Sequence, residues 1–118
     1  MDIGKDLVAA SATPFVLAIL SEGDSYGYAI IKRIDKLSNG QLQWTDGMLY
    51  PILHRLERKG AIEAYWSTSE TGRKRKYYRL TEVGRNELLQ HKLQWSAVDA
   101  VLRGVWQNEF NPVLQGSD

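Results

Sequence analysis

TDGMLYPILHRLERKG (Thr45–Gly60) runs directly into AIEAYWSTSETGRKRKYYRL (Ala61–Leu80), and the fold turns on how this pair is read. In the first segment Leu49, Ile52, Leu53 and Leu56 follow the i, i+3, i+4, i+7 rule, so they form the buried stripe of a short helix. Thr45 is placed to cap it, with Asp46 near its positive N-terminus. Pro51 costs the helix one internal hydrogen bond, and Gly60 closes it. In the second segment Ile62–Ser67 and Lys74–Leu80 have strand composition, separated by the polar, glycine-bearing loop Thr68–Arg73. Ile62, Ala64 and Trp66 share one face, with Tyr78 and Leu80 expected opposite. Lys74 and Lys76 have the parity of Tyr78, so twist or length must carry them past the core. The second arm holds Arg73, Lys74, Arg75, Lys76 and Arg79, with Tyr77 and Tyr78 among them.

Working outward, Lys5–Ser21 is predicted to be a first helix. Ile3, Leu7, Val8, Ala12, Phe15, Val16, Ile19 and Leu20 recur at steps of three and four. Pro14 inside it predicts a kink or a late start. Ser25 is a good cap for a second helix over Tyr26–Ser38, with an inward face of Tyr28 or Ala29, then Ile30, Ile31, Ile34 and Leu37. Asn39-Gly40 ends that helix, since both tolerate a left-handed backbone. Gln41–Trp44 could form one small strand. Thr81-Glu82-Val83-Gly84 opens a final long helix to about Gln107. Leu88, His91, Trp95, Val98, Leu102 and Val105 give it a heptad-like seam. A second apolar stripe runs through Leu89 and Leu93 toward Val101. The expected layout is therefore 1–80 as one domain, 81–107 as a dimerisation helix and 108–118 as a flexible tail.

Composition narrows the function. The chain has 118 residues and no cysteine, so disulfide frameworks and thiol chemistry are excluded. His54 and His91 make no metal-ligand spacing, and neither metal nor cofactor is expected. No paired carboxylates, nucleophile–base pair or phosphate loop is present, which argues against an enzyme. No apolar run approaches the roughly 20 residues that span a bilayer, and no signal peptide is evident, so the expected setting is the cytoplasm with no membrane partner. The net charge of +1 hides an asymmetry: residues 1–40 carry −1, 41–80 carry +4 and 81–118 carry −2. The positive charge is a local footprint of the kind phosphate backbones require.

Three helices followed by a hairpin is the order of a winged helix-turn-helix. The expected fold is mainly α with a small β-hairpin, plus a C-terminal dimerisation helix. In such a fold the third helix enters the major groove of double-stranded DNA and the hairpin reaches the adjacent backbone or minor groove. The predicted DNA-facing residues are Ser25, Tyr26, Thr45, Met48, Tyr50, His54, Arg55, Arg73, Lys74, Arg75 and Lys76. Tyr50 can donate a hydrogen bond and pack on sugar or a thymine methyl, and Arg55 can meet phosphate or guanine. Five cations in the seven residues 73–79 exceed what protecting an edge strand needs. Arg79, nearest the core, is the expected structural exception. Of Tyr77 and Tyr78, one belongs to the core and the other to the wing surface. A winged module that binds protein is the competing reading, and it has no need of so cationic a wing.

Tyr26-Gly27-Tyr28, the run Gly47–Ile62 with Leu49-Tyr50-Pro51 at its centre, and the run Gly72–Gly84 with Lys76-Tyr77-Tyr78-Arg79-Leu80-Thr81 resemble the PadR family of bacterial transcriptional repressors. The resemblance extends from about Leu7 to Trp106. A single C-terminal helix is similar to the short branch of that family, which includes multidrug-sensing repressors. The resemblance implies a homodimer on a palindromic operator, released by a ligand. The expected interface is Leu7, Val8, Phe15, Leu88, His91, Trp95, Val98, Leu102 and Val105. Gln94-Trp95-Ser96-Ala97-Val98-Asp99 is similar to a stretch of the multidrug-sensing relatives in which paired indoles sandwich planar drugs across the dimer. This implies Trp95 and Asp99 as ligand contacts for a planar aromatic inducer.

Overall fold

The structure is a computed structural model and describes residues 1–110. Helix α1 spans Lys5–Ser21, strand β1 Ser25–Tyr26, helix α2 Gly27–Leu37, helix α3 Asp46–Arg58, strand β2 Ile62–Thr68, strand β3 Lys74–Leu80 and helix α4 Glu82–Phe110. They form two compact units, one from Met1 to Leu88 and the other from Leu89 onward. The flexible tail expected for residues 108–118 lies outside the residues whose side chains are described.

The first unit is built on side chains the helical and strand periodicities single out, joined by Leu17, which that pattern leaves out. Val16 and Leu17 of α1, Ile30 and Ile34 of α2, Leu49, Leu53 and Leu56 of α3, and Ile62, Tyr78 and Leu80 of the hairpin are all buried. The sheet is antiparallel throughout, in the order β1-β3-β2. Ile62 pairs with Leu80, Ala64 with Tyr78, and Trp66 with Lys76, so the core face of the hairpin runs outward from aliphatic to aromatic to cationic.

Several expectations are corrected. Ser25 does not cap α2: with Tyr26 it forms the third strand, opposite Tyr78 and Tyr77. Tyr26 occupies the cap position in an extended conformation, without a side-chain capping bond. The edge of β3 offers unpaired backbone groups, and pairing with them outcompetes one side-chain cap. Gln41–Trp44 is not a strand. Leu42 and Trp44 are buried there, and the Leu42 amide donates to Ser38 Oγ at 2.9 Å, so the segment is pinned by its side chains. Tyr28 and Leu37 do not face inward, being 63% and 59% exposed. Helix α1 starts at Lys5 despite Pro14. Thr45 holds the cap position of α3, but through its carbonyl, which accepts from Met48 and Leu49 at 3.1 Å; its side chain makes no cap bond.

A compact junction fixes the hairpin to α4. The Thr81 hydroxyl donates to the Gly60 carbonyl at 2.6 Å and accepts from the Gly84 amide at 3.1 Å, while the Thr81 amide donates to the Ala61 carbonyl at 3.0 Å. Gly84 is buried against Ala61 and Leu80. Leu88 is 6% exposed and belongs to this core.

In the second unit α4 presents Leu89, Leu93, Val98, Val101, Leu102, Val105 and Trp106 to solvent, while His91 and Trp95 are half-buried.

Candidate nucleic-acid interface

The basic groove of the first unit is lined by Tyr26, Gly27, Tyr28, Tyr50, Trp66, Arg73, Lys74, Arg75 and Lys76. It collects residues from β1, the start of α2, the first half of α3 and both strands of the wing. From α3, Tyr50 lines it. Tyr50 and His54 are one turn apart and share a side, their rings 6.2 Å apart. The Tyr50 hydroxyl sits over Gly27, where a Cβ would lie 2.6 Å from it, so the glycine lets the two helices approach.

Two other predicted contacts of α3, Met48 and Arg55, lie beside α1 and outside the lining of this groove. Met48 lines an apolar groove with Ile3, Val8, Ala9, Ala12, Trp44 and Ile52. Arg55 donates to Thr13 Oγ1 at 2.7 Å. Residues 48, 52 and 55 lie at spacings of four and three, so they follow one helix side, away from that of 50 and 54.

The wing divides its cations by strand parity. Lys74 and Lys76 lie on the face that carries Tyr78 and Leu80, but beyond the buried part; Lys76 Nζ is 5.7 Å from the Tyr78 ring. Arg75, Tyr77 and Arg79 lie on the other face. There Arg79 pairs with Glu63 at 3.1 Å and lies over the Tyr65 ring at 5.1 Å, which makes it the structural exception the sequence suggests. Among the described residues no ion pair ties Arg73, Lys74, Arg75 or Lys76 to an acid. Their charge is uncompensated at short range, the condition for an anionic partner. The tip is shaped by the Gly72 amide donating to the Ser69 carbonyl at 2.9 Å, with Gly72 at φ +84°.

The tyrosines separate as the parity requires: Tyr78 is core and Tyr77 is wing surface. Burial pushes the Tyr78 phenol up to about 12, and its hydroxyl has no hydrogen-bond partner among the described residues. Tyr65 is also raised, chiefly because its hydroxyl donates to Asp24 at 2.5 Å. Sequence reasoning did not place Trp66 or Tyr28 in the groove. Trp66 has the parity of the core face, and only the length of β2 carries it past the core to 63% exposure. That outward shift of the cations sharing its face was the available signal.

Three packed helices, a β-wing and an aromatic, cationic groove define a winged-helix DNA-binding protein. The profile of the transcriptional regulator PadR-like family matches residues 16–90. The chain belongs to that family and is a PadR-type transcriptional regulator. It is 33% identical over 100 residues to a protein of Lysinibacillus sphaericus called protein X, covering 85% of this chain and 92% of that one. A transcriptional regulator from Clostridium thermocellum superposes with a TM-score of 0.78 at 32% identity, covering 86% of this chain and 96% of the other. A PadR-like transcriptional regulator from Bacillus cereus gives 0.79 at 27% identity, covering 87% and 98%.

Proposed function

We propose that the chain acts in the cytoplasm as a repressor, binding a palindromic operator as a homodimer and leaving it when a planar aromatic small molecule occupies the dimer interface. The observation that carries the DNA reading is the groove in which Arg73, Lys74, Arg75 and Lys76 stand beside Tyr50 without acid partners among the described residues. Tyr50 and His54 read the major groove; Arg73, Lys74 and Lys76 meet phosphate. Residues 81–107 serve dimerisation. Support comes from α4, whose Val98, Leu102 and Val105 are 51%, 42% and 60% exposed, more apolar surface than a solitary helix keeps in water. Leu7, Val8 and Phe15 of α1 complete the interface. Two-fold symmetry then sets the two α3 helices one DNA turn apart, about 34 Å.

Trp95 is the ligand platform, half-buried with a flat indole face for stacking. Asp99 contributes less charge than its sequence position suggests, because Arg103 Nε donates to it at 2.7 Å.

The test is a salt titration of binding to a labelled duplex from upstream of the chain's own coding sequence. Affinity should fall steeply with salt, and alanine at Lys74 or Lys76 should flatten the slope by about 0.9 per subunit. Binding that is absent or insensitive to salt refutes the DNA reading. Trp95→Ala should abolish the quenching of tryptophan fluorescence by a planar cationic dye while the dimer persists in sedimentation; full quenching in that variant removes the ligand site from Trp95.

A further inference from the structure

We propose that Tyr26 serves DNA binding through Arg75: a ladder of three tyrosines on the outer face of the wing holds the Arg75 guanidinium in position for the nucleic acid. The inference rests on the DNA-binding reading above and assigns a positioning role within that site.

The ladder follows from strand register. Tyr77 of β3 is paired with Tyr26 across one edge and with Tyr65 across the other. Tyr65 and Tyr77 are stacked, with centroids 5.7 Å apart and planes 17° apart. Tyr77 meets Tyr26 edge to face at 5.4 Å and 71°. Both geometries are favourable for aromatic quadrupoles. One end of the ladder is tied down, since the Tyr65 hydroxyl donates to Asp24 and Arg79 covers the Tyr65 ring. At the other end the Arg75 guanidinium lies 4.3 Å above the Tyr26 ring. The strip therefore joins the turn before β1 to all three strands.

A guanidinium that sits on a ring by its flat face keeps its N–H groups, which lie in the plane, free at the edge. Arg75 has no acid partner among the described residues, and both it and Tyr26 line the basic groove. A long side chain held on a ring enters its contact already ordered. Lysine cannot take this role, because an ammonium has no planar face to stack. Lys74 and Lys76, on the opposite face, are outside the ladder. Thus Arg75 is the wing cation for which residue type matters, and the Tyr26 ring, not its hydroxyl, is the part that acts.

The same upstream duplex tests this. Arg75→Ala should weaken binding about tenfold, the loss of a charge-assisted contact in each subunit. Tyr26→Leu should weaken it nearly as much without removing a charge, and Arg75→Lys likewise without changing the charge. Tyr26→Phe should stay within about twofold of wild type, and Tyr26→Leu with Arg75→Ala should bind no worse than Arg75→Ala alone. In DNA-free protein, the ring-current shift of the Arg75 side-chain protons should persist in Tyr26→Phe and vanish in Tyr26→Leu. If Tyr26→Leu does not fold, Tyr26→Phe and Arg75→Lys still decide. A weak Tyr26→Phe, a wild-type-like Arg75→Lys, or additive losses overturn the inference. If wild-type protein binds no duplex, the proposed function fails and takes this inference with it; if wild type binds and the Arg75 and Tyr26 arms miss, only the inference fails.

Discussion

Substituting the same residue type at two places in α4 should move stability in opposite directions. At Gly84 a methyl group would meet the Ala61 carbonyl oxygen well inside contact distance and Leu80 Cδ1 at 2.6 Å. The side chain of Leu80 can yield a little, but the Ala61 backbone cannot, because its carbonyl also accepts from the Thr81 amide at 3.0 Å. Relief requires the first turn of α4 to lift, which strains that bond and the one from Gly84 to Thr81 Oγ1. Overpacking costs about 1–3 kcal/mol, and each strained hydrogen bond roughly 1 kcal/mol. Alanine's better helix propensity returns about 1 kcal/mol. With a rigid backbone neighbour the overpacking cost sits at the upper end, so Gly84→Ala should destabilise by about 4 kcal/mol. At Gly104 nothing among the described residues of its own chain lies within 4 Å of the added carbon, so within the subunit the propensity gain remains and Gly104→Ala should stabilise by roughly 0.5–1 kcal/mol. Urea unfolding at one protein concentration, followed by far-ultraviolet circular dichroism, measures both. A Gly84→Ala protein as stable as wild type would refute the close-packing argument, and equal shifts for the two variants would show that propensity alone governs both sites.

Tyr78→Phe should be neutral or stabilising by up to about 1 kcal/mol, because it removes a buried hydroxyl with no partner; a loss above 1 kcal/mol in urea unfolding would show that the hydroxyl is bonded. Since the folded Tyr78 phenol is raised to about 12 from 10, its contribution is intact below pH 10 and is lost as pH rises from 10 toward 12. Ultraviolet titration should therefore find a late tyrosine step that disappears in Tyr78→Phe, while the raised Tyr65 remains. Trp66, exposed beside Lys76, should change its emission when duplex is added, and Trp66→Ala should weaken binding roughly fivefold with an unchanged salt slope, as an apolar contact of about 1 kcal/mol does. A flattened slope in that variant would mean that the indole acts by placing the neighbouring lysine.

The periodicities of the chain determine its elements by themselves. The bounds of α1 and β3, the buried stripe of α3 and the core face of the hairpin follow from spacings of three to four and of two, because covalent geometry points those side chains one way whatever surrounds them. The cationic wing is equally local, being a run of adjacent residues. What tertiary structure decided is which elements meet and which side of each remains open. Ser25 and Tyr26 look like a helix start until β3 presents an edge for them to join. Met48 and Arg55 belong to one side of α3 by spacing, and packing sets α1 beside that side. Leu88 belongs to a seam by spacing but to the core by position. The alternation of Arg75 and Lys76 is plain in the sequence, yet only strand register brings Tyr65, Tyr77 and Tyr26 into line beneath one cation and not the other. Partners distant along the chain are selected by the geometry of packing, and that information is carried jointly by residues that no local spacing relates.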